Sequence, residues 1–142
     1  MTPVAEAMFT ADEASRGLGV ELLEHGKGTA VLRMTVTPAV VNGHGMVHGG
    51  YVFLLADPAC ACAYAYAYAC NSHGPVTVAA GAGITFVAPA YEGDVLVARA
   101  EERTRYGRSG LYDVSVLRVD EVIAEFRGRS HCIRGTTSKE WG

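Results

Sequence analysis

ACACAYAYAYAC, residues 59–70, is the stretch on which the fold of this chain turns. By period alone the strict alternation belongs to a β-strand, whose side chains point to opposite faces at every second position. Alanine at alternate positions argues the other way, because it is the best helix former and is poor in sheets. On a helix Cys60, Tyr64 and Tyr68 share one face, and Cys62 and Tyr66 the opposite one. Such an element is apolar all round, which suits a helix wrapped by a sheet. The reading taken is a central helix over about 48–71.

Working outward, Pro3 to about Ser15 has helical composition and stops at Arg16-Gly17-Leu18-Gly19, where glycines end a helix well. VELLEHGKGTAVLRMTVTP then offers two β-rich runs around the turn His25-Gly26-Lys27-Gly28, a hairpin. After Pro75 come four β-rich segments, Val76 to Val87, Val95 to Thr104, Leu111 to Leu117 and Val122 to Ile133, separated at hairpin lengths by turn residues. One helix is thus framed by two strands before it and four after it. That order predicts an α+β domain, an antiparallel sheet packed on one helix.

A chain of 142 residues that is 49% hydrophobic is long enough for one domain with a real core, so residues 1–142 are read as a single unit. A net charge of −3 lacks the basic surface of a nucleic-acid binder. The N-terminus shows no charged segment leading into an apolar one, so no secretory signal is read and the cytoplasm is the expected location. The weakly charged region Met34 to Tyr91 is broken by Gly, Pro, Asn and His, so no membrane span is expected. Cys60, Cys62, Cys70 and Cys132 lack paired CxxC spacing and read as buried reduced thiols, and no metal site is expected.

Within this apolar region stands a single acid. Between Glu24 and Glu92 the only carboxylate is Asp57, and between Arg33 and Arg99 there is no Lys or Arg. An ionised group in such surroundings costs free energy unless it is solvated or hydrogen-bonded. One reading makes Asp57 the cap of a helix that starts at Pro58. The other starts the helix near His48, exposes the Gly49 and Gly50 N–H groups at its positive end, and leaves Pro58 inside. The second is preferred. GHGMVHG, residues 43–49, puts His48 where a dinucleotide fingerprint needs its third glycine. His44 and His48 have no evident third metal ligand, and Ser109 in GRSG lacks the full GxSxG elbow.

NGHGMVHGGYVFLLAD, followed by ACNSHG, ITFVAP, GRSGLYDVSV and EFRGRSH, resembles the hotdog-fold acyl-CoA thioesterases, most closely the branch that acts on phenylacetyl-CoA in phenylacetate degradation. The likeness runs from about Gly17 to Gly135. Its most specific part is Asn42, then His48-Gly49-Gly50, with Asp57 eight residues after Gly49. The resemblance implies a sheet around a long helix, dimers joined edge to edge, and homotetramers. It also implies that Asp57 is the catalytic carboxylate and Gly49 the N–H that binds the thioester oxygen. Asn42 would help to place water or carbonyl, with His48 in support. Pro58 departs from the Thr or Ser common there, and the segment after the acid is longer than the family pattern.

Geometry adds a constraint. On one helix, eight residues separate Gly49 from Asp57 by about 12 Å, too far for both to act on one carbonyl from the same chain. A symmetric dimer with two shared sites is therefore expected. CoA enters as part of the substrate, so no separate cofactor is expected. Eight of the ten arginines lie between Arg99 and Arg134; Arg108 and Ser109 in one turn, with Arg127 and Arg129, are the candidate contacts to CoA phosphates. The alternative reading is an acyl-thioester hydratase or dehydratase using His48, or a non-catalytic acyl-CoA binding protein on the same scaffold.

Overall fold

The computed structural model describes residues 4–68 and 76–133. Two short helices, α1 (Val4–Thr10) and α2 (Glu13–Gly17), precede the hairpin β1 (Glu21–Gly26) and β2 (Thr29–Thr35). The central helix α3 (Gly49–Tyr68) follows, and then four strands: β3 (Val76–Phe86), β4 (Val95–Tyr106), β5 (Ser109–Arg118) and β6 (Glu121–Ile133). All pairs are antiparallel, and the strands lie in the order β1-β2-β4-β5-β6-β3.

ACACAYAYAYAC is helical as far as Tyr68, and its last two residues lie outside the described residues. Its alternation never had to match a pleated surface, because α3 buries side chains on more than one side. Val52, Leu55, Ala56, Ala59, Cys60, Ala63 and Tyr64 form one buried stripe at helical spacing. They meet the inward row of the sheet, which includes Leu32, Met34, Leu96, Ala98, Val114, Val116 and Phe126. Cys62, also fully buried, looks instead toward the N-terminal helices. Each large aliphatic side chain fully buried here stabilises the fold by about 1.5–3 kcal/mol relative to an exposed position.

Two expectations change. The single N-terminal helix expected from Pro3 to Ser15 is two pieces, because Asp12 takes a non-helical conformation and caps α2: its carboxylate accepts from Ser15 N at 3.1 Å and from Ser15 Oγ at 2.6 Å. The central helix starts at Gly49 rather than His48, and its expected end at 71 lies outside the described residues. Pro58 sits inside α3 and has no N–H for the Leu54 carbonyl, yet the helix continues past it.

The sheet accepts the helix closely because of Gly110. A β-carbon there would lie 2.5 Å from a ring carbon of Tyr112 and 2.9 Å from one of Tyr64. Those two rings are fully buried and meet edge to face, 6.0 Å apart, so neither has space to retreat. The Tyr64 hydroxyl donates to the Arg108 carbonyl, which fixes the ring from its far end. Gly110→Ala should therefore cost about 1–3 kcal/mol by overpacking, read as a lower urea midpoint at fixed protein concentration.

Candidate active site

The site begins in the loop before α3. Asn42 folds it: its Oδ1 accepts from His44 N at 2.9 Å and Met46 N at 3.2 Å, and its own N–H donates to the Met46 carbonyl at 2.7 Å. Its side-chain oxygen is thereby occupied, and the amide NH2 is the group left to donate to a ligand. Asn is suited to this because its short side chain reaches the backbone two residues on.

His48 closes the loop onto the helix. Its N–H donates to the Val40 carbonyl at 2.8 Å, its carbonyl accepts from Tyr51 N at 2.9 Å, and its ring Nδ1 accepts from Gly50 N at 3.3 Å. It thus caps α3 through its ring. With Nδ1 serving as acceptor, the neutral ring carries its proton on Nε2 and presents a donor there.

Gly49 is the first residue of α3, and its N–H meets no acceptor among the described residues. The first N–H groups of any helix lack an internal partner, and here they lie at the positive end of a 20-residue element with no acidic side chain in its first turn. The Phe86 ring lies against this glycine, where an added β-carbon would come within 2.8 Å of the ring tip. Around the N–H is a cavity of about 450 Å³ with Asn42, Met46, Val52, Phe86 and Ile123 among its walls.

Asp57 opens into a different cavity, of about 280 Å³, lined by Met8, Phe9, Asp12, Leu54 and Cys62 among others. No residue lines both cavities. The helix starts eight residues before Asp57, so the carboxylate caps nothing, and no described group donates a hydrogen bond to it. Burial pushes its pKa above the ordinary 3.8, and the negative charge of Asp12 pushes it further the same way. A carboxylate so raised is a stronger base once ionised. Cys60 and Cys62 are not competing nucleophiles: burial drives both thiols up to about 12.

The four candidate phosphate contacts part company. Arg127 is held by both oxygens of Asp113, at 2.7 and 3.0 Å, and Arg129 donates to the Ala80 carbonyl at 3.2 Å. Ser109 Oγ is bonded to His131 Nδ1 at 2.9 Å. Arg108, exposed in the β4–β5 turn, has no side-chain partner among the described residues. Sequence reasoning missed the whole N-terminal wall of the Asp57 cavity. A signal was present, since Asp12 stands three residues before Ser15 at a helix start.

One further feature concerns the sheet margin. β3 is an outermost strand, eleven residues long, and Ala79, Ala80, Gly81, Ala82 and Gly83 along it are exposed. Phe86 is 55% and the following Val87 58% exposed. The opposite margin, β1, is short, bulged between Leu22 and Glu24, and carries Glu21 and Glu24. Among the described residues no helix is long and apolar enough to cross a membrane.

Comparison with known proteins agrees with this architecture. Residues 44–125, which hold His48, Gly49 and Asp57, match the family model described as the thioesterase superfamily. The chain is 40% identical over 137 residues to the acyl-coenzyme A thioesterase PaaI of Escherichia coli, covering 96% of this chain and 94% of that protein. It superposes on the structure of the E. coli PaaI protein from the phenylacetic acid degradation operon with a TM-score of 0.82, over 93% of this chain and 92% of the other. A mutant of the phenylacetic acid degradation protein PaaI from Thermus thermophilus is 28% identical, with a TM-score of 0.77 over 84% of this chain and 98% of that one. With its six-stranded antiparallel sheet wrapped on one helix, the chain belongs to the thioesterase superfamily and has the hotdog fold.

Proposed function

We propose that this chain hydrolyses acyl-CoA thioesters, with phenylacetyl-CoA or a related aryl-CoA as substrate, in sites shared by two copies of the chain. The observation that carries the proposal is the split of the machinery: the unpaired Gly49 N–H and the half-buried Asp57 lie on one rigid helix but open into separate cavities. One copy cannot bring both to a single carbonyl. The margin of β3 supports a partner there, because a long, uncharged edge of Ala and Gly is the kind that pairs with another strand. Phe86, at the end of that edge, touches Gly49, so a copy joined along β3 lies beside the Gly49 cavity. Two such dimers would form the homotetramer.

In the proposed reaction the thioester oxygen accepts from the Gly49 N–H, where the helix dipole favours the developing negative charge. Asp57 of the other copy takes a proton from water as the water oxygen bonds to the carbonyl carbon. Collapse of the tetrahedral species expels CoA as thiolate. A thiol pKa near 8.5, by analogy with cysteine, makes it a good leaving group, so a strong general acid is not needed and no cofactor enters. Asn42 has an amide donor to offer the water or carbonyl, and Arg108 is the candidate for a CoA phosphate. The buried thiols Cys60 and Cys62 suit the reducing cytoplasm. A His48 base, as a hydratase would need, is disfavoured by the Gly50 N–H on its Nδ1.

Asp57→Asn should lower kcat with phenylacetyl-CoA by about 10²–10⁴-fold while KM changes little, measured as free thiol release. Near-parental turnover would remove Asp57 from its role. The acid limb of kcat/KM should lie above pH 3.8, because activity is lost as pH falls through the raised pKa of Asp57. Asp12→Asn keeps a capping side chain on α2 and removes the charge that raises Asp57, so the limb should move to lower pH. An unmoved limb would show that Asp12 does not act on the base.

A further inference from the structure

The cavity at Asp57 has a composition that the thioester chemistry does not explain. General-base catalysis needs the carboxylate and a water; it does not need a chamber. Yet Asp57 lines about 280 Å³ of space that has Met8, Phe9, Leu54, Pro58 and Ala61 among its other walls. Among the described residues the charged groups on it are Asp57 itself and Asp12, and the Asp12 oxygens are turned to Ser15 N and Oγ. Ser15 is 2% exposed, so α2 is pinned at its start and does not fray into the space.

We propose that this chamber takes the acyl group of the substrate and that the N-terminal helices α1 and α2 set which acyl groups fit, with Phe9 as the main specificity-determining residue. The inference rests on the thioesterase reading above. Three observations support it. A base that activates water on a carbonyl lies within a few ångströms of the acyl carbon next to that carbonyl, so the space adjoining Asp57 is within reach of the acyl group, and the larger cavity at Gly49, of about 450 Å³, is left for the CoA side of the thioester. Most of the wall residues are apolar and one is aromatic, as a hydrocarbon or aryl tail requires, and the Asp12 oxygens are already engaged by Ser15. The volume is slightly below the roughly 300–1,000 Å³ of sites that enclose a drug-sized ligand, so it suits an acyl group and leaves the CoA moiety outside.

The two walls also differ in origin. Leu54, Asp57, Pro58 and Ala61 belong to the stretch 44–125 that carries the family match, whereas Met8, Phe9, Asp12 and Ser15 lie outside it. The base is thus mounted on the family scaffold, and the surface facing it is supplied by a separate segment packed on α3. Changing the acyl group accepted requires only a change in α1, with the helix that holds the base left as it is. Phe9 is half-buried and packs against the core without belonging to it, so it can be enlarged or reduced with little effect on the fold.

The test is kcat/KM for 1-naphthylacetyl-CoA divided by that for phenylacetyl-CoA. Phe9→Ala should raise this ratio by about tenfold or more, within the 10–200-fold that small changes in an apolar pocket produce. Phe9→Trp should lower it. Ala61→Leu, which fills the same chamber from the α3 side, should lower it as well and guards against a mere loosening of α1. A ratio within about twofold of the parent in all three, with phenylacetyl-CoA still turned over, would overturn the proposal. The CoA thioethers of the two acyl groups, bound but not hydrolysed, separate this from the reaction itself. If the parent hydrolyses neither ester, the thioesterase reading fails. The chamber then stands if thioether affinities follow the same order across the variants, and falls if they do not.

Discussion

A rigid α-helix is a ruler, and α3 sets the scale of everything proposed for this protein. Its first free N–H and its one carboxylate are separated by eight residues, about 12 Å along the axis. No side-chain rotation closes that distance, because the carboxylate of Asp57 reaches only a few ångströms and Gly49 has no side chain at all. The sheet holds the ruler in place: the stripe from Val52 to Tyr64 is buried against β2, β4, β5 and β6, with Gly110 admitting Tyr64 to close contact. On the proposed reading, a fold held this firmly presents two half-sites per copy and completes neither alone.

The same burial offsets what the helix must tolerate. Pro58 removes a hydrogen bond from its middle, and a half-buried Asp57 is driven toward its neutral form. Both would be unfavourable in an isolated helix, where a proline costs about 3 kcal/mol. In α3 they sit on the side turned from the sheet, among residues of α1 and α2, while the apolar stripe on the other side carries the stabilisation. Asp12 adds a like charge to this neighbourhood. Its cap on α2 is a local requirement, and its effect on Asp57 follows from where that cap must stand.

Much of this was legible in the residues. The alanines of ACACAYAYAYAC outweighed their alternation because helix propensity does not depend on period, and the turn residues after Pro75 marked four strands that appear within a few residues of their expected limits. Asp57 could be singled out because charge is so sparse around it. The arginines could not be sorted, since the partner of Arg127 is Asp113 on the adjacent strand, set by cross-strand register rather than by sequence spacing. The N-terminal wall was hidden for a related reason. Nothing local to Met8 or Phe9 says that they face a residue almost fifty positions away, and the break at Asp12 that turns α2 onto α3 was read as continuous helix.

The claim on which the account depends is that each site draws Gly49 from one copy and Asp57 from another. It is tested most directly by pairing two inactive variants. Asp57→Asn keeps its N–H donor, and Gly49→Pro loses the donor at the first helical position, its ring displacing the exposed Phe86 side chain that a β-carbon there meets at 2.8 Å. Each alone should be nearly inactive. Co-expressed with different tags and assorted at random, half of the dimers carry one variant of each kind, and each of those restores one site of two. Shared sites should return about a quarter of parental turnover in the mixture; mixed dimers that form and stay as inactive as either variant would rule them out.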